Sequence, residues 1–162
     1  MKITFFGTTT LLFDDGTDQL LFDAHFTRPS LLRYIFGSAA TDQTVVNEML
    51  GIHRIDRLRA IFISHSHHDH VMDAPYTANQ CNALIYGSGS ALNVARGGNV
   101  PESRLVEFKG NETYEVGNVG VQTICPARSM LPSPVLFRCG KYLFKQTMFQ
   151  PHIMSCHFRI VW

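Results

Sequence analysis

The chain has 162 residues, 45% of them apolar and 17% charged, with a formal net charge of +1. That length suits one domain with a core of its own, and the composition excludes a disordered chain. Near-neutral charge gives no basis for nucleic acid or an anionic membrane surface as a partner.

The opening reads as an antiparallel meander of three short apolar runs: Lys2–Phe6 ending at Gly7, Thr9–Phe13 ending at Asp14-Asp15-Gly16, and Gln19–Phe22 closing on Asp23. Asp and Gly tolerate positive φ, so the Asp14-Asp15-Gly16 stretch predicts a hairpin. Two helices follow in the reading. Ser30 caps Leu31–Phe36, stopped by Gly37; Thr41 or Asp42 caps a second through Val45, Val46, Met49 and Leu50, ended by Gly51. Leu58–Ile63 is a continuous apolar run of strand length, the pattern of a strand buried on both faces.

Residues 64–70 come next and read Ser-His-Ser-His-His-Asp-His. Neutral imidazole and carboxylate are ligands that borderline divalent metals such as Zn²⁺ prefer. In an extended loop residues two apart share a side, so His65 and His67 can grip one ion. Asp69 and His70, at the turn into the next helix, face another direction and can serve a second. His68 is the odd position and points away.

A helix is predicted from Asp73-Ala74-Pro75, a strand over Ala83–Tyr86, and a short helix over Ser90–Arg96 closed by Gly97-Gly98. Strands follow at Arg104–Phe108, Thr113–Val116 and Val119–Ile124. Gly87-Ser88-Gly89-Ser90 could cradle a phosphate but reads better as a turn and cap, and Arg96 as a helix C-terminal charge. Strand–helix–strand alternation between meanders indicates a layered α/β fold. Beyond Cys125, Pro126, Pro132 and Pro134 interrupt the pattern. Val135–Phe137 and Tyr142–Phe144 could form a hairpin around Gly140, and the end shows no period.

At the histidine cluster the sequence resembles the metallo-β-lactamase superfamily, whose HxHxDH signature His65, His67, Asp69 and His70 match. The likeness extends to the strand before the cluster, the opening meander and Asp23, covering residues 1–124; within the superfamily it is most similar to predicted zinc-dependent hydrolases related to lactonases and phospholipase-D-like members. The resemblance implies an αββα sandwich, here only its first half over 1–124, followed by a divergent tail over 125–162. It implies one or two zinc ions, held by His65 and His67 and by Asp69 and His70. Asp69 would orient a zinc-activated hydroxide that attacks a small-molecule substrate, an ester, lactone or phosphodiester. Asp23 would hold a ligand histidine or merely end its strand. His25 and Arg28 in the loop after it read as surface.

The family pattern has three further ligands that the later sequence does not supply. All 13 acidic residues lie within 1–115, no Asp follows Asp73, and the only later histidines are His152 and His157. Three explanations stay open: a truncated or frame-altered chain that is a non-catalytic remnant, a mononuclear site completed by His152 or His157, or completion in a homo-oligomer. Cys125, near the missing histidine, reads as a buried apolar cysteine. Cys81, Cys125, Cys139 and Cys156 form no CxxC pair, so reduced thiols are expected. With no leader sequence and no apolar run of about 18 residues, a cytoplasmic location is expected.

Overall fold

The computed structural model describes residues 1–30, 32–33 and 40–124, and the backbone of three strands beyond them. The chain divides into two compact units, Met1–Glu107 and Phe108–Trp162.

The first unit is built on a six-stranded mixed sheet in sequential order: β1 (Lys2–Gly7), β2 (Thr10–Asp14), β3 (Gln19–Phe22), β4 (Leu58–Phe62), β5 (Leu84–Gly87) and β6 (Leu105–Glu107). The first three pair antiparallel as the meander predicts, with Asp14 opposite Gln19 across the hairpin and Gly16 at φ +97°. From β3 to β6 the strands run parallel. Parallel neighbours need crossovers, and helices supply them: α1 (Gln43–Ile52), a single turn α2 (His68–Val71), α3 (Ala74–Cys81) and α4 (Gly89–Gly97). The apolar run at 58–62 is thus a central strand covered on both faces, which is why it shows no alternation.

One face of the sheet carries Leu12, Leu21, Ile61 and Ile85. They form one buried cluster with Val46 of α1, Val71 of α2, Ala74 and Ala78 of α3, and Ala91, Leu92 and Ala95 of α4. Each large member contributes roughly 1.5–3 kcal/mol by leaving water. Small residues on α3 and α4 let the helices lie close to the sheet and to each other. At the end of α4 a side chain on Gly98 would start 2.3 Å from the Pro75 Cβ, so only glycine fits.

On the opposite face Phe13, Phe22, Phe62 and Tyr86 form a row across four strands. Phe22 and Phe62 stack at 5.3 Å, and Phe62 and Tyr86 at 4.6 Å. Phe22, Phe62 and Tyr86 are buried, while Ile3 and Phe5 of the edge strand are 41% and 64% exposed.

Helix starts follow the sequence reading and helix ends less so. Asp42 caps α1 by accepting from the N–H groups of Thr44 and Val45, but the helix runs through Gly51 to Ile52 and turns at Arg54, φ +51°. Ser88 caps α4 by accepting from the Ala91 N–H. Of the expected helix over 31–36, Leu32 and Arg33 are helical and the rest lies outside the described residues.

In the second unit β7 (Thr113–Val116) and β8 (Val119–Ile124) make a tight hairpin through Gly117, φ +60°, and Asn118. Two later strands, β9 (Pro134–Cys139) and β10 (Tyr142–Thr147), pair as the expected hairpin. The final strand β11 (His157–Val161), which no sequence periodicity announces, pairs antiparallel with β8. No helix among the described residues is long and apolar enough to cross a membrane.

Candidate metal centre

Strands β3 and β4 are parallel neighbours, so the chain leaves both at the same edge of the sheet, the place where open α/β sheets bind ligands. Asp23 follows β3 at φ +53°, a left-handed conformation that Asp tolerates better than most residues. Its N–H donates to the Phe62 carbonyl at 2.9 Å, tying it to the end of β4. Its Oδ1 accepts from the backbone N–H of Ser64 at 2.8 Å and lies 2.9 Å from the Ser64 hydroxyl. Its Oδ2 meets Nδ1 of His70 at 2.7 Å, with both side chains buried.

Residues 64–67 leave β4 through a series of bends and 68–71 are already helix, with His67 the cap of α2. The loop after β3 is laced to this turn: Ala24 N–H donates to the His70 carbonyl at 2.7 Å, and Asp73 N–H to the Ala24 carbonyl at 3.1 Å. Asp73 Oδ2 then accepts from the N–H groups of Phe26 and Thr27, each at 2.7 Å.

His70 is 2% exposed. Its Nδ1 has three oxygens around it: Asp23 Oδ2, the Thr9 hydroxyl at 2.8 Å and the Ser64 hydroxyl at 3.1 Å. Its Nε2 is buried and has no hydrogen-bond partner. Leaving such an atom unpaired costs about 1–3 kcal/mol, a debt that a ligand on that nitrogen removes. Asp69 Oδ2 stands 3.7 Å from it. The His65 ring lies 3.7 Å from the His70 ring, and His65 Nδ1 is 3.1 Å from the Ser64 hydroxyl. One ligand atom from each of His65, Asp69 and His70 lies within 4.8 Å of the others.

The donor set fits a divalent ion. Burial pushes the His65 imidazolium down to about 4, and the neighbouring His70 adds to the effect, so at pH 7 His65 is neutral and presents a lone pair. Two imidazoles and one carboxylate suit zinc and its borderline neighbours.

The grouping takes one residue from the first expected pair and both from the second. His67 is half-buried, its ring 4.8 Å from that of His65, but it stands outside the three-residue group. His68 is exposed. His25, read from sequence as a surface residue, is instead buried, with Nδ1 3.4 Å from the Thr8 hydroxyl and Nε2 unpartnered. Burial lowers its pKa against the opposing pull of Asp73 and Asp69. Arg28 is exposed and donates to the Phe6 carbonyl. Thr9 and Ser64 were given no role by the sequence reading; Ser64 adjoins the cluster, whereas nothing local marks Thr9. At the start of α4 the Glu107 carboxylate packs against Gly89, where an added Cβ would lie 2.7 Å from its Oε1. Arg96 pairs with Glu102, its Nη2 at 3.0 Å. Cys125 and His152 lie outside the described residues.

No family model matches the chain. Ribonuclease J 1 of Streptococcus pyogenes is 30% identical over 89 residues, covering 52% of this chain and 16% of that protein. Among solved structures, a mutant metallo-β-lactamase of Cronobacter sakazakii superposes with a TM-score of 0.51 at 19% identity, over 75% of this chain and 50% of that one. The metallo-β-lactamase fold protein YhfI of Bacillus subtilis gives 0.52 at 18% identity, over 94% and 50%. The chain therefore spans about half the length of those solved structures and a smaller share of the ribonuclease.

Proposed function

We propose that this chain, which has the metallo-β-lactamase fold over about half the extent of its solved neighbours, is the metal-holding part of a hydrolase. The substrate class is a small ester, lactone or phosphodiester. His65, Asp69 and His70 hold a zinc ion, with His67 beside them available to a first or second ion. The observation that carries this reading is the buried, partnerless Nε2 of His70, whose other nitrogen is fixed by Asp23. A divalent ion in this position supplies Lewis acidity and makes water acidic enough to be a nucleophile near neutral pH. The chain's own part is to keep the His65 imidazole neutral, bury both rings away from bulk water, and offer Asp69. At 34% side-chain exposure, Asp69 is open enough to orient an incoming water.

Elemental analysis of purified protein, with and without chelator, should find one or two zinc equivalents. His65→Ala and His70→Ala should lose them. Turnover is then measured on a lactone, bis(p-nitrophenyl) phosphate and a short RNA. The RNA is included because one relative is named a ribonuclease. Metal-free protein that takes up no added zinc refutes the reading. A second reading, a non-catalytic remnant, is favoured by the absence of any acid after Glu115; zinc binding without turnover on any substrate would support it.

A further inference from the structure

The Ser64 hydroxyl has one proton and too many neighbours for it: Asp23 Oδ1 and Oδ2, both at 2.9 Å, His65 Nδ1 at 3.1 Å and His70 Nδ1 at 3.1 Å. Their chemistry settles where it goes. A carboxylate only accepts, so the Ser64 O–H donates to Asp23, and His70 Nδ1–H donates to Asp23 Oδ2. With its proton committed, the Ser64 oxygen offers only lone pairs to His65. His65 Nδ1 must then be the donor, which leaves His65 Nε2 unprotonated.

We propose that Ser64 is a positioning residue that relays the charge of Asp23 to His65. One buried carboxylate then sets the tautomer of two histidines, one directly and one through a hydroxyl. The alternative tautomer of His65 puts a proton on Nε2, where it would obstruct a metal. Thr9, 2.8 Å from His70 Nδ1, supports the ring that Asp23 already fixes and takes no part in the relay.

This inference rests on His65 and His70 being the ligands, so the two are tested separately. Zinc titration of the wild-type chain tests the ligands. The relay is read from long-range ¹H–¹⁵N correlation spectra of the metal-free protein, where the two ring nitrogens of each histidine are resolved. In the wild type both His65 and His70 should carry the proton on Nδ1. In Ser64→Ala, His70 should keep it while His65 becomes a mixture or moves to Nε2–H, and zinc affinity should fall about 10-fold. Ser64→Thr, which restores the hydroxyl, should return both signals and the affinity. If Ser64→Ala does not fold, Ser64→Cys, whose thiol is a weak acceptor, should give the same His65 shift. A His65 that keeps its Nδ1 proton without the hydroxyl overturns the proposal, and so does failure of the threonine to rescue.

Discussion

Lowering the pH of the metal-free chain from 7 to 5 should cost it about 2 kcal/mol of folding stability through His65 alone. The sign follows from which state binds the proton. In the unfolded chain this imidazole titrates near 6.5, whereas in the folded chain burial and the adjacent His70 push it down to about 4. Between those values the unfolded state takes up a proton that the folded state refuses. The stabilisation is therefore complete above 6.5 and drains away as the pH falls towards 4. His25, whose pKa burial also lowers, drains in the same direction. The backbone N–H groups of Asp18 and Thr17 hold Asp15 below its ordinary 3.8, so its contribution stays intact in this window. Urea unfolding in chelator at pH 7, 6 and 5 should show the midpoint falling with pH. In His65→Gln that fall should shrink by about 2 kcal/mol, leaving a residue from His25. Equal pH dependence in the two proteins would refute the claim that burial keeps His65 neutral.

Asp23→Asn should weaken zinc binding by about 10- to 100-fold, because an amide cannot accept from both His70 and Ser64 as the carboxylate does; competition with a chromogenic chelator measures it, and an unchanged affinity would break the link between Asp23 and the ligands. His68→Ala should leave zinc stoichiometry unchanged, and a loss equal to that of His70→Ala would contradict the outward placement of His68. Ile61→Ala should lower stability by about 2–5 kcal/mol by thermal or urea unfolding, since the side chain sits between the helical layer and the sheet. Asp42→Ala should cost about 1 kcal/mol by removing the cap of α1, and Asp42→Asn should restore most of it.

The strands and helix starts were legible because their signals are local: apolar spacing, Asp and Ser before a helix, Gly with Asp or Asn at turns. The end of α1 was not, because Gly51 can continue a helix when Met49 and Leu50 just before it pack against the core. The cluster His65, His67, Asp69 and His70 was visible at once, but the close approach of the His65 and His70 rings was not. The chain bends through 64–67 and enters α2 at His68, so spacing by two residues does not say which rings meet. Asp23, Thr9 and His25 act across separations of 17 to 61 residues, which no periodicity encodes. His25 was misread because loops ordinarily lie outside, whereas this one is drawn in by Asp73 and by the Thr10 hydroxyl accepting from the His25 N–H. The strand β11 was missed because its pairing with β8 crosses more than thirty residues, so its regularity resides in the partner.

The hydrogen bonds that His70 makes with Thr9 and Asp23 join the opening meander to a turn that lies 61 and 47 residues further on. If the cluster holds a metal as proposed, possession of its histidines alone should then be insufficient for tight capture. A product initiated at Met49 would contain His65, Asp69 and His70 and yet lack the Thr9 and Asp23 oxygens that meet His70. On a growing or refolding polypeptide, loop closure of this span comes late. Tight zinc uptake would then time the completion of long-range assembly, and a colorimetric zinc assay during refolding could serve as a clock for it.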